Sequence, residues 1–322
     1  MTEMTYRQLG ESGLTVSTVG IGCNNLSRRG VDKDVTRAIV DAALDVGITL
    51  FDTADIYGAE PGASEDLLGQ ALVGRREQFV VATKFGMSMQ GRTLPEHEAR
   101  GSRRYIRASI EGSLRRLRTD YIDLYQFHRP DPRTPIDETL EALDEIVREG
   151  KVRYIGSSNF AGWQVVDADW TARSAGGVRF ISAQNEYNLL DRAAETELVP
   201  ACEQVGVGLL PFFPLANGLL TGKYERESAP SSGRLSESRY ADFLATAPWD
   251  VVEKLRAFAG EREVPMLHIA IGGLAAQPAV ASVIAGVTKP EQVHANAAAA
   301  LWEPSADDLV RLDEITGTPR AA

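Results

Sequence analysis

Only two cysteines, Cys23 and Cys202, occur in 322 residues, too few for a disulfide framework and without the spacing of a metal site. No metal is therefore expected. The opening Met-Thr-Glu-Met-Thr-Tyr has no apolar signal core, so a cytoplasmic protein is expected. Excess positive charge is missing as well. A net charge of −11 argues against nucleic acid as a partner, because phosphate backbones are bound by clustered Lys and Arg. Arg103, Arg104, Arg107, Arg115, Arg116 and Arg118 fall on one predicted helix, but they spread around it and read as a solvated face. Low-complexity tracts are absent, and 43% hydrophobic with 25% charged residues is the balance of a chain that folds. One uncharged run, the twenty residues from Ile269 to Thr288, reaches membrane-spanning length. Gly272-Gly273 and Gln277-Pro278 interrupt it, which predicts a short helix, a turn and a buried strand, and no membrane partner.

What is present is a rhythm. Tyr6–Leu9 and Leu14–Val16, joined by Gly10-Glu-Ser-Gly13, predict a β-hairpin that plugs the main fold. Strands are predicted at Val19–Gly22, Ile48–Phe51, Phe79–Ala82, Tyr121–Tyr125, Val152–Ile155, Phe180–Ala183, Val207–Leu210 and Val280–Ala285. Helical spacing separates them, as in Asp34–Val46, where Val35, Ala38, Ile39, Ala42 and Ala43 make one apolar face. Between the last two strands lie the polar stretch Asn217–Thr246, read as a long covering loop, and helices near Trp249–Glu261 and Pro265–Ala276. A helix at Glu291–Leu301 and an extra one at Ser305–Ile315 end the chain. Eight strand–helix units without a linker predict one α/β domain over residues 1–322, a (β/α)8 TIM barrel. The competing fold is a doubly wound dinucleotide-binding sheet, since Gly20-Ile-Gly22-Cys-Asn-Asn25 nearly matches its phosphate loop, with an asparagine at the third glycine.

Working residues of such barrels sit at the C-terminal ends of strands. Asp52 and Tyr57 follow the second strand, Lys84 ends the third in Val80-Val-Ala-Thr-Lys84, and His128 ends the fourth in Asp123-Leu-Tyr-Gln-Phe-His128. Three adjacent strands would thus bring four ionisable groups to one rim. A lysine ammonium ~4 Å from a phenol favours phenolate by roughly 4 kcal/mol at a dielectric of about 20. At about 1.36 kcal/mol per unit, that predicts a tyrosine pKa lowered from ~10 to roughly 7, suited to a general acid. Asp52 would hold Lys84, and His128 would orient a carbonyl and share in the proton transfer.

Several segments together closely resemble the aldo-keto reductases over nearly the full chain. They are Phe51-Asp-Thr-Ala-Asp-Ile-Tyr-Gly58, Ala82-Thr-Lys-Phe85, Ser113-Leu-Arg-Arg-Leu-Arg-Thr-Asp-Tyr-Ile-Asp-Leu-Tyr-Gln-Phe-His128, Gly150-Lys-Val-Arg-Tyr-Ile-Gly-Ser-Ser-Asn-Phe160 and Pro214-Leu-Ala-Asn-Gly-Leu-Leu-Thr-Gly222. The resemblance implies NADPH-dependent reduction of an aldehyde or ketone, with Tyr57 as proton donor and Asp52, Lys84 and His128 completing a tetrad. NADH is the lesser expectation. Ser158, Asn159 and Gln184 would hydrogen-bond the nicotinamide carboxamide. Phe212 would stack on the ring, where relatives carry tyrosine. Phe213 replaces a serine that touches the diphosphate.

Phosphate groups are expected after the seventh and eighth strands. Leu215, Asn217, Leu219, Thr221 and Lys223 would line one side, and Gly286, Thr288, Lys289, Gln292 and Asn296 the other. Gly22 completes the cofactor set, and Lys289 is the candidate for the 2′-phosphate. A small carbonyl substrate would meet Cys23, Asn24, Ile56, Phe85 and Arg129. Arg129 has two readings: it pairs with an acidic substrate, or it holds a loop carboxylate such as Asp131. Two other functions compete, a non-catalytic NADPH-binding regulatory subunit and a barrel enzyme using Lys84 as a Schiff base.

Overall fold

The apolar runs become parallel strands, and the computed structural model describes residues 3–90, 93–226 and 233–317. First comes an antiparallel pair, β1 (Tyr6–Gln8) and β2 (Thr15–Ser17), in the register Arg7 opposite Val16. There follow β3 (Val19–Gly22), α1 (Lys33–Asp45), β4 (Leu50–Asp52), α2 (Ala63–Ala71), β5 (Val80–Phe85), α3 (Arg103–Leu117), β6 (Ile122–Phe127) and α4 (Ile136–Arg148). Next are β7 (Val152–Ser158), α5 (Gly162–Ala175), β8 (Phe180–Gln184), α6 (Leu198–Val205) and β9 (Gly208–Leu209). Three helices, α7 (Ala241–Ala245), α8 (Trp249–Glu261) and α9 (Met266–Ala275), precede β10 (Val283–Gly286), α10 (Pro290–Ala300) and α11 (Ala306–Thr316).

The long sheet runs in the order β10-β3-β4-β5-β6-β7-β8-β9. It has no reversal of strand order, which excludes the doubly wound alternative. Its ends meet through Leu209 N to Ala279 O (2.7 Å), Ala281 N to Leu209 O (3.0 Å) and Ile284 N to Pro211 O (2.9 Å). The barrel is thereby closed, as expected. The Ile269–Thr288 run divides into α9 and β10, and among the described residues no helix is long and apolar enough to cross a membrane.

Alternation along the strands fills the barrel in layers. Leu50, Ala82, Leu124, Leu210 and Ile284 form a buried lower layer, closed from below by Leu9 and Val16 of the hairpin. The hairpin is the plug that its sequence predicted. One step further along the same strands the inward residues turn polar: Asp52, Lys84 and Gln126. The apolar barrel floor therefore hands over to a charged layer within two residues.

The expected loop 217–246 has more structure than its composition suggested, and its residues 227–232 lie outside the described ones. Short 3-10 turns occur at Ala216–Thr221, Arg234–Ser236 and Ser238–Tyr240, ahead of α7. Leu219, Leu220, Tyr224 and Leu235 explain this, because they bury themselves in a second apolar cluster with Leu255, Phe258 and Ile269 of α8 and α9.

Candidate active site

The segment after β4 hangs from its neighbour strand. Thr53 N donates to Ala82 O (2.8 Å) and Asp55 N to Lys84 O (3.2 Å), so the loop cannot swing away from β5. Tyr57 is then fixed at both its backbone ends, N to Ala54 O (3.1 Å) and O from Ser64 N (3.0 Å). Gly58 follows at φ 113, and a Cβ there would stand 2.7 Å from Ala63 Cβ. Only glycine makes that turn without strain.

Asp52 ends β4 and Lys84 is the penultimate residue of β5, with their side chains buried together inside the barrel. Lys84 Nζ donates to Asp52 Oδ2 (2.6 Å) and Thr53 O (3.0 Å). The second carboxylate oxygen, Oδ1, accepts from Gln126 Nε2 (3.0 Å) and Gln184 Nε2 (2.8 Å). Burial opposes the Lys84 charge, but Asp52 and Tyr57 more than offset it and its pKa lies above the ordinary value. It is an ammonium ion at neutral pH. Its Nζ stands 5.0 Å from the centroid of the Tyr57 ring, which meets His128 edge-on at 5.8 Å. Asp52, Tyr57, Lys84 and His128 are thus brought together.

The expected fall in the Tyr57 pKa does not occur. Burial raises the phenol above its ordinary value, although Lys84 pulls the other way. The phenol's loss of water outweighs the pull of Lys84, which is no bare cation, since Asp52 at 2.6 Å cancels much of its field. His128 moves in the opposite direction. Burial, with Lys84 and Arg129 adding repulsion, holds its pKa well below the usual histidine value, so the imidazole is neutral at pH 7. A neutral imidazole offers one N–H as a hydrogen bond, and it does not carry an acid's proton.

A cavity of about 790 Å³ opens at this end of the barrel, lined by Asp52, Tyr57 and His128. Of the residues expected to touch substrate, Asn24, Ile56 and Arg129 line it. Phe85 does not. It is fully buried outside the barrel sheet, stacked on Tyr125 and Phe127 with centroids 4.8 and 5.0 Å away. With Lys84 pointing in, alternation sends Phe85 out. Cys23 is likewise buried, and burial pushes its thiol far up in pKa.

On the cofactor side, Gly22, Ser158, Asn159, Gln184, Phe212, Leu215, Asn217, Thr221, Lys223, Gly286, Thr288 and Gln292 line the same cavity. Asn159 adopts φ 58, a conformation asparagine tolerates, and donates Nδ2 to His128 O (2.9 Å). Ser158 Oγ donates to Gln184 O (2.8 Å). Leu219 instead buries its side chain in the second apolar cluster. Asn296 is buried on α10 away from the cavity wall, its Nδ2 without a partner among the described residues. Lys289 is exposed at the start of α10, next to Thr288, and its side chain is not part of the wall. Phe213 does line the cavity, at φ 53, under the Arg234 guanidinium at 5.8 Å.

Sequence reasoning missed Gln126 and the wall residues Asn25, Arg28, Arg29, Met87 and Glu237. Arg234, on the covering segment, is part of the wall too. The signal for Gln126 was there, since it alternates with Leu124 on the inward side of β6. Arg29 reaches Glu237 (2.5 Å) and Arg234 reaches Asn25 Oδ1 (3.3 Å), tying the loop after β3 to the covering segment. No local pattern announces such a long-range tie.

Can a nicotinamide dinucleotide be held here? Asn159 Oδ1 and Gln184 Oε1 have no donor among the described residues, since both side chains spend their amide nitrogens internally. They suit the amide protons of a carboxamide. Together with the cations Lys223 and Arg234 of the same wall, the donor set fits such a group. Comparison with known proteins agrees with this. The profile of the aldo/keto reductase family matches residues 18–316. The uncharacterized oxidoreductase YrpG of Bacillus subtilis (strain 168) is 39% identical over 298 residues, 90% of this chain and 89% of that one. A probable voltage-gated potassium channel subunit beta of Oryza sativa subsp. japonica is 35% identical, covering 91% and 90% of the two chains. The aldo-keto reductase YhdN of Bacillus subtilis (strain 168) is 32% identical, covering 97% and 93%. The chain belongs to the aldo/keto reductase family, barrel oxidoreductases that act on small carbonyl compounds with a nicotinamide cofactor, typically NADPH.

Proposed function

We propose that the protein reduces an aldehyde or ketone to the alcohol with NADPH, and that Tyr57 is the general acid. The observation that carries this reading is the meeting of Asp52, Tyr57 and His128 at one cavity, with Lys84 bound to Asp52 and 5.0 Å from the centroid of the Tyr57 ring. The cofactor, when bound, supplies the hydride that the carbonyl carbon takes up. Tyr57, kept protonated by its burial, gives its proton to the carbonyl oxygen. The phenolate left behind faces the Lys84 ammonium, which stabilises it, and Asp52 with Gln126 and Gln184 behind it holds Lys84 in place. Neutral His128 orients the carbonyl by a hydrogen bond and takes no part as an acid.

On this reading the nicotinamide carboxamide lies against Ser158, Asn159 and Gln184 and its ring against Phe212. Leu215, Asn217, Thr221, Lys223 and Arg234 face the diphosphate, and Gly286, Thr288 and Gln292 the adenosine, with Asn296 buried behind them on α10. Lys289 stays the candidate for the 2′-phosphate, which makes NADPH preferred over NADH. Residues 1–322 act as one barrel domain, with the 217–246 segment covering cofactor and substrate. A Schiff base at Lys84 is disfavoured, because an ammonium bound to Asp52 and Thr53 has no free lone pair. A second reading, a regulatory NADPH-binding subunit, is favoured by the 35% identity to the potassium channel subunit.

Loss of NADPH absorbance over a panel of aldehydes, quinones, dicarbonyls and sugars tests the proposal. Wild type should turn over at least one class, and Tyr57→Phe should lose turnover while still binding NADPH. Retained turnover in that variant would sink the assignment. NADPH binding without turnover on any carbonyl would favour the regulatory reading.

A further inference from the structure

We propose that the carbonyl substrate carries an anionic group, a carboxylate or a phosphate, which Arg129 and Arg28 hold at the cavity wall beside Tyr57 and His128; this rests on the reductase reading above. Arg129 follows His128 directly and lines the same cavity. Its competing role as the partner of Asp131 is taken by others. That carboxylate accepts from Gly101 N (3.0 Å), Thr134 Oγ1 (3.0 Å) and Arg133 N (3.1 Å), with the Arg133 guanidinium 3.6 Å away. Among the described residues no carboxylate lies within ion-pairing distance of Arg129. Its charge nevertheless acts on the site, since it is one of the causes that keep His128 neutral.

Arg28 lines the same cavity. Its Nε donates to Gly58 O (2.5 Å), one residue beyond the phenol, which anchors the guanidinium and leaves its terminal nitrogens unpaired among the described residues. Like Arg129 it has no carboxylate partner there. The acids of the cavity are already neutralised, Asp52 by Lys84 (2.6 Å) and Glu237 by Arg29 (2.5 Å) and Arg239 (2.7 Å). An acidic chain of net charge −11 therefore presents a basic cavity. Cofactor phosphates account for Lys223 and Arg234 on the side of Asn217 and Thr221. That leaves Arg129, next in the chain to His128, and Arg28, bonded to the carbonyl of the residue after Tyr57. Guanidinium is the side chain best shaped to grip a carboxylate or phosphate through two parallel bonds. Ile56 and Met87 on the same wall suit a short apolar spacer.

The test compares kcat/KM with NADPH for butanal, its terminal carboxylate analogue and a terminally phosphorylated aldehyde of the same length. Wild type should prefer one anionic aldehyde to butanal by about ten-fold or more. In Arg129→Met that preference should fall by about ten-fold through KM, and Arg129→Lys should keep part of it. Arg28→Met should act in the same direction. The better anion identifies the group as carboxylate or phosphate. Unfolding midpoints of the variants verify that they fold. Equal use of all three aldehydes by wild type, or a preference that neither arginine variant moves, overturns the inference while leaving the reductase reading standing. Consumption of no aldehyde of any charge would remove the reductase reading and this inference with it.

Discussion

Replacing Lys84 by Met keeps the length of the side chain and removes its charge, which isolates the electrostatics of the buried pair. Asp52 is 3% exposed, so its carboxylate cannot turn to water. Removing one partner of a buried pair costs about 3–5 kcal/mol, since it leaves the other charge uncompensated. Gln126 and Gln184 would still donate to Oδ1. Those two bonds place the loss at the lower end, about 3 kcal/mol. With about 2.1 cal/mol/K of unfolding entropy per residue, that is a Tm lowered by about 4 °C for a chain of this size. Equilibrium urea unfolding at pH 7 reads the free energy directly. Adding Asp52→Asn to Lys84→Met removes the orphaned charge and should restore about 2 kcal/mol, although turnover stays lost. A loss below about 1 kcal/mol in the single variant, or a double variant no more stable than the single one, would refute the picture of a buried, mutually dependent pair.

Acid sensitivity follows from His128. Its folded pKa is depressed, so the neutral form contributes stability that is present above about pH 6.5 and is lost as pH falls toward the folded value. In that window wild type should lose about 1.4 kcal/mol per pH unit relative to His128→Gln, and parallel urea-unfolding profiles of the two would contradict it. Because burial raises the Tyr57 pKa, the reduction rate should show no falling limb near neutrality, and kcat/KM should hold up to at least about pH 10. A limb centred near pH 7 would reinstate the phenolate expectation. Phe85→Ala should cost about 3–5 kcal/mol in stability, from its buried stack, without altering the ratio of kcat/KM between short and long aldehydes. A shifted ratio would return Phe85 to the substrate wall.

The rhythm of strands and helices was legible because two periods, 2 and 3.6, alternate through eight units, interrupted only by the polar stretch after the seventh strand. The same alternation carried the site: once Leu50, Ala82 and Leu124 are inside, Asp52, Lys84 and Gln126 must be inside too. Phe85 lies one residue past Lys84, where a strand taken to end at Lys84 leaves a loop residue free to face substrate; β5 runs to Phe85, and the parity of the strand sends that ring outward. Leu219 was misplaced for a related reason, since a loop reading cannot see that Tyr224 and Leu235 will pack with it into a second core. The wall arginines were hidden more deeply. Arg28, Arg29 and Arg234 lie on segments some two hundred residues apart, and what turns them inward is Gly58 O, Glu237 and Asn25. The Tyr57 pKa went wrong by one body. A lysine and a phenol considered alone favour phenolate, but a buried site is assembled from at least three charges and a loss of water, and here the carboxylate that holds the lysine also cancels the field the phenol would have felt. The residue types at a strand end therefore announce which chemistry is built there, whereas its protonation states depend on the neighbours that only the closed barrel supplies.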